Sequence, residues 1–137
     1  MRSGYLWMAL LLAGAAQAQD FSACPATIRV EPQKLAAPVA GWSVVATRPE
    51  PHQLQAITFF DGDPKEEASL APDRSTKLQQ TWEFGAAQRP QWLTCRYTGT
   101  SVVIGKVLPK QVKACTVTYV ANESIGGSPV IQKLVCR

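Results

Sequence analysis

Apolar and polar residues alternate with a period of two along most of this chain, and nowhere more plainly than from Gln91 to Tyr119. Leu93, Cys95 and Tyr97 alternate with Trp92, Thr94 and Arg96, the pattern of a strand whose two faces meet different surroundings. Thr98-Gly99-Thr100 interrupts the run, Val102 to Leu108 resumes it, Pro109-Lys110 turns, and Val112 to Val120 completes it. The three segments read as a β-meander.

Other strands are expected over Thr27–Glu31, Gly41–Arg48, Leu54–Phe60, Ser75–Phe84 and Val130–Cys136. Pro49 and Pro51 close the second of these, because proline cannot donate to a ladder. Asp61-Gly62-Asp63-Pro64 is a turn built from turn residues, and Lys65 to Leu70 has room for one helical turn. With ten prolines and nine glycines dispersed along the chain, no apolar pattern at helical spacing lasts three turns. The expected fold is all-β: a small disulfide-stabilised antiparallel sandwich or barrel of roughly six to eight strands, with at most one short helix.

The start of the chain has a different character. Arg2, the apolar run from Tyr5 to Ala16 and the small residues of Ala16-Gln17-Ala18 form a secretory signal peptide over residues 1–18, leaving 19–137 as a single β domain. The run is shorter than the roughly 20 residues a membrane span requires, so no transmembrane segment is expected. Phe21-Ser22-Ala23-Cys24 loosely resembles a lipoprotein processing site, but Gln17, Gln19 and Asp20 separate it from the apolar run, and lipidation would leave an odd number of cysteines. Export to the periplasm, or beyond the cell, is the reading.

In an exported chain Cys24, Cys95, Cys115 and Cys136 read as two disulfides, and four cysteines allow three pairings. If Val112–Val120 and Val130–Cys136 form a hairpin around Asn122–Pro129, Val117 faces Leu134 and Cys115 faces Cys136. Directly opposite residues come within disulfide reach, which favours Cys115 with Cys136 and so Cys24 with Cys95. In a flat meander, Val102–Leu108 would separate Cys95 from Cys115. Zinc is disfavoured by the absence of close cysteine pairs and by a single histidine; no cofactor is expected.

Catalytic chemistry finds little to work with. His52, between Pro51 and Gln53, reads as a solvated loop residue without a nucleophile or orienting partner. Asp61, Asp63, Glu66, Glu67 and Glu83 leave a carboxylate hydrolase as a distant alternative, which would need two of them to converge in a cleft. A calcium loop at Asp61–Glu67 fails on spacing, because Lys65 stands where an oxygen ligand belongs. A non-enzyme is expected.

Charge changes the picture more. The net charge is +4. From Phe84 onward seven bases, Arg89 to Arg137, face Glu123 alone, whereas Asp20 to Glu83 holds nine acids and six bases. Lys106, Lys110 and Lys113 are the candidate binding residues for an anionic partner, such as phospholipid headgroups, acidic glycans or an acidic protein surface. The competing reading is that these bases are solvent-facing strand positions that discourage edge pairing. Nucleic acid is disfavoured by export and the lack of a binding motif. Trp42, Trp82, Trp92, Tyr97 and Tyr119 sit in alternating runs and are expected in the core; a glycan-binding platform would need at least two of the three tryptophans on the surface.

Several landmarks recur together: Cys24-Pro25, Gly41-Trp42, Phe60-Asp61-Gly62 with Pro64, Leu70-Ala71-Pro72-Asp73, Trp82-Glu83-Phe84, Trp92-Leu93-x-Cys95-x-Tyr97, Leu108-Pro109 and Cys115-x-Val117-x-Tyr119. In these the chain resembles a group of small exported bacterial proteins of uncharacterised function. The resemblance implies export and four cysteines, and brings no activity with it. The leading functional expectation is a non-catalytic periplasmic interaction module of inhibitor or immunity type that engages an envelope protein; a small-ligand or glycan binder is the alternative.

Overall fold

The computed structural model describes residues 24–31, 35–45 and 51–137. The expected leader lies outside these residues, as do positions 46–48 of the strand expected at Gly41–Arg48. Eight strands form: β1 (Thr27–Ile28), β2 (His52–Asp61), β3 (Arg74–Ser75), β4 (Gln79–Glu83), β5 (Gln91–Tyr97), β6 (Val103–Val107), β7 (Ala114–Ile125) and β8 (Ser128–Cys136). They make two antiparallel four-stranded sheets, β1-β2-β5-β6 and β3-β4-β7-β8. Neither sheet closes into a barrel; the sheets face each other across one core.

Strand alternation accounts for that core. In the first sheet Phe59 faces Leu93 and Ile57 faces Cys95 across the β2–β5 ladder. In the second, Trp82 faces Cys115 and Val117 faces Leu134. Phe59, completely buried, bridges the two layers, with ring centroids 4.9 Å from Trp82 and 5.4 Å from Phe84. The Trp82 Nε1–H donates to the Leu70 carbonyl at 2.9 Å, so its one polar atom is satisfied.

The meander reading is corrected at its third segment. β5 and β6 pair, but β7 belongs to the opposite sheet, because the chain crosses the end of the sandwich between Leu108 and Lys113. Leu108 and Val112, both buried, flank the Pro109 turn and plug that end of the core. A hairpin there would have forfeited their burial. The long segment expected at Ser75–Phe84 is likewise a hairpin: β3 and β4 turn at Thr76–Leu78, where Thr76 N–H donates to the Gln79 carbonyl at 2.8 Å.

Smaller corrections have local causes. Residues 41–45 form no strand, and Trp42 is 81% exposed rather than in the core. Thr27–Ile28 is all that pairs of the first expected strand. The helical turn shrinks to a 3-10 turn over Pro64–Glu66, capped by Asp63 Oδ1, which accepts from Lys65 N–H at 2.9 Å. His52 opens β2 instead of lying in a loop, and its Nδ1–H donates to the Thr98 carbonyl at 2.7 Å. β7 does not stop near Asn122: with φ of 59° there, residues 120–123 bulge against position 130 alone before pairing resumes at Ser124 and Pro129. The hairpin closes at Gly126-Gly127, whose φ values of 55° and 80° suit the two-residue turn favoured between twisted strands.

Both disulfides take the favoured pairing, Cys24–Cys95 and Cys115–Cys136. Cys115 and Cys136 are direct partners in the β7–β8 register, as the hairpin argument required. Cys24–Cys95 owes nothing to a flat meander; it pins the start of the described chain to β5, next to the Tyr97 hydroxyl that donates to the Pro25 carbonyl at 2.9 Å. The Cys115–Cys136 bridge lies within one sheet, and Cys24–Cys95 ties the segment before β1 to β5.

Three outcomes follow for urea and alkaline unfolding. Phe59→Ala should cost about 3–5 kcal/mol, whereas Trp42→Ala should stay within about 0.5 kcal/mol of wild type. The bridges close separations of 71 and 21 residues, so chain entropy assigns about 4 kcal/mol to Cys24–Cys95 and about 3 kcal/mol to Cys115–Cys136, read as midpoint shifts of the paired alanine variants. Desolvation raises the pKa of both Tyr97 and Tyr119 above 10.0. A raised folded-state value favours the neutral phenol, so this stabilisation is intact below pH 10 and is lost as pH climbs from about 10 through the folded values. Ultraviolet titration should show both phenols ionising late and, in the unfolded chain, near 10.

Candidate interaction surfaces

The three candidate lysines do not form one cluster. Lys110 and Lys113 sit on the crossover, where Lys113 Nζ donates to the Lys110 carbonyl at 3.5 Å. With Arg89 they line a cleft of about 480 Å³ between the Phe84–Gln91 loop and the Val107–Lys113 crossover. Arg89 forms an ion pair with Glu66, and the hydrogen bond and charge of that partner raise the arginine pKa. The same guanidinium covers Gly62, occupying the position a Cβ would take, which with a φ of 91° restricts that position to glycine. Lys106 lies elsewhere. It faces Leu93 across the β5–β6 ladder and lines a separate hollow with Cys24, Pro25 and Ile104. A lysine on the core side of an edge strand deters pairing with another chain.

The carboxylates considered for hydrolysis are dispersed and engaged. Asp61 accepts from Gln91 Nε2 at 2.7 Å, Asp63 caps the 3-10 turn, Glu66 holds Arg89, and Glu83 pairs with Arg74 at 2.7 Å on the other sheet. Glu67 ends the turn in a left-handed conformation, with φ of 59°. None of them lines the crossover cleft, and among the described residues no group of three or more potential metal ligands occurs. Trp82 is core, Trp92 is half-buried on the outer face beside Gly105, and Trp42 is exposed, so the tryptophans form no common platform.

A second basic surface is absent from the sequence reading. On the outer face of β3-β4-β7-β8, the register aligns Arg74, Thr81, Thr116 and Val135 in one row, with Gln79, Thr118 and Lys133 in the next. Arg137 joins them, exchanging main-chain hydrogen bonds with Ala114. These residues line a basin of about 350 Å³. Thr116-x-Thr118 and Lys133-x-Val135-x-Arg137 are visible alternations, but only the pairing of β3, β4, β7 and β8 unites them.

Among the described residues, no helix is long and apolar enough to cross a membrane. No solved structure matches the chain. It is 33% identical over 106 residues to an uncharacterised 16.3 kDa protein in the trpG 5′ region of Azospirillum brasilense, an alignment covering 69% of each chain. Residues 48–137, which include every strand except β1, match the family described as the Type VI secretion system Tli immunity protein. The small four-cysteine group that the landmarks suggested thus has a functional description, of immunity type, and this chain belongs to the Type VI secretion system Tli immunity protein family.

Proposed function

We propose that this protein is the periplasmic immunity partner of a type VI effector, binding that effector in the envelope and blocking it without catalysis. The family match over residues 48–137 carries the reading. Two disulfides support the compartment, since such bonds persist outside the reducing cytosol, and the leader at residues 1–18 supplies the route. A braced β scaffold loses little entropy on docking, which suits an inhibitor that must hold one geometry. Lys106, Lys110 and Lys113 act as steering charges, with Lys110 and Lys113 beside Arg89 at the crossover cleft and Lys106 on the β6 edge. Such charges accelerate encounter with an acidic partner more than they strengthen the final complex.

Titration of the purified effector should give a stoichiometric complex. The Lys110→Glu/Lys113→Glu variant should associate about tenfold more slowly at low salt, and the difference should shrink towards 0.5 M salt, where screening extends over only a few ångströms (~4 Å). Cells carrying the chain without residues 1–18 should lose protection when the effector reaches the periplasm. Full protection by the leaderless form, or an effector that does not bind the wild-type protein, would remove this reading.

A further inference from the structure

The basin on the outer face of β3-β4-β7-β8 differs from an ordinary solvated sheet face in the sign of its charges and in its shape. Its floor is made by the short side chains of Thr81, Thr116 and Thr118, and Thr81 is buried although it points away from the core. Thr81 and Thr116 share a hydrogen bond between hydroxyls 3.0 Å apart. The longer side chains of Arg74, Lys133 and Arg137 stand around this floor and leave it recessed.

The rim is cationic. The carboxylate that the register places on this face, Glu83, is already bound to Arg74 at 2.7 Å, and the neighbouring Asp73 accepts from the Glu83 N–H at 2.7 Å. Lys133 and Arg137 form no ion pair among the described residues. Their two charges therefore remain unbalanced beside a floor of hydroxyl groups, which can donate to an anionic oxygen.

Strand spacing sets where an extended ligand would meet these charges. Arg74 on β3 and Lys133 on β8 are three strand intervals apart, about 14 Å. Lys133 and Arg137 are four residues apart along β8, about 13 Å. An extended peptide with carboxylates on alternate residues, about 7 Å apart, places several acids on one face and, lying along β8, meets both Lys133 and Arg137.

We infer that this basin is a docking site for a carboxylate-rich extended segment of the effector, with Lys133 and Arg137 pairing its acids and the threonine floor offering hydroxyl donors beside them. The inference rests on the effector-binding reading and adds a contact surface distinct from the crossover lysines. It names the partner chemistry that the family description leaves open.

The test uses the exported, disulfide-bonded protein labelled with nitrogen-15. A synthetic peptide of alternating Glu and Ser should shift the amide resonances of Thr81, Thr116, Thr118 and Val135, and a matched Lys and Ser peptide should not. Lys133→Glu/Arg137→Glu should abolish the shifts, whereas Lys65→Glu, on the 3-10 turn, should keep them. Against the purified effector, the double variant should raise the Kd at least about tenfold and Lys65→Glu should not. Retention of both disulfides and of the wild-type melting midpoint separates lost binding from lost folding.

Equal shifts from inorganic phosphate or phosphatidylglycerol vesicles would overturn the peptide assignment, as would peptide shifts confined to other residues. If the effector binds wild type and the double variant equally, the basin inference fails alone. If the effector does not bind wild type, the immunity reading fails, and the peptide titration still judges the basin.

Discussion

Burial of Phe59 between the two sheets is the interaction on which the rest of this molecule depends. It projects from β2 into the second layer, against Trp82 and Phe84 at the end of β4. Aromatic rings at 4.9 and 5.4 Å contribute beyond their buried area, and their tilted arrangement is one that ring quadrupoles favour. Because neither disulfide crosses between the sheets, this apolar contact and its neighbours Leu93, Tyr97 and Val117 hold the layers together. The covalent bonds have a different role. Cys115–Cys136 fixes the β7–β8 register and Cys24–Cys95 holds the first residues of the described chain against β5, each reducing the entropy of the unfolded chain.

Once the core fixes two layers, the connectivity decides what each outer face displays. Consecutive strand pairs alternate between sheets: β1 and β2 in one, β3 and β4 in the other, then β5 and β6, then β7 and β8. The chain therefore crosses the sandwich three times. The last crossover carries Lys110 and Lys113 at one end of the molecule, while β3 and β8, remote in sequence, become the opposite edges of one sheet. That arrangement sets Arg74 against Lys133 and Arg137 across a polar floor. A protein of the immunity family thus presents cationic surfaces on a scaffold whose rigidity comes from elsewhere, so charge can vary with the partner without disturbing the core.

The sequence by itself determined the strand character of β2, β5, β7 and β8, and in β5 a period of two separated the buried Leu93, Cys95 and Tyr97 from Trp92 and Arg96. The same periodicity placed Cys115 opposite Cys136, and the cysteine count and leader pattern pointed to an oxidised, exported protein. It did not separate β6 from β7 into different sheets. Pro109 ends a strand in either topology, and only the simultaneous burial of Leu108 and Val112 makes the crossover the favourable path. Trp42 shows the limit of alternation: its neighbours have strand character, yet no strand forms at 41–45 and the ring stays in solvent. Lys106, Lys110 and Lys113 look like one group in sequence, but strand direction separates Lys106 from the other two. Conversely Arg74, Lys133 and Arg137 look unrelated until hydrogen-bonded register aligns them. Local periodicity is a property of one strand, whereas a surface is assembled from several, and only burial of the shared core decides which strands become neighbours.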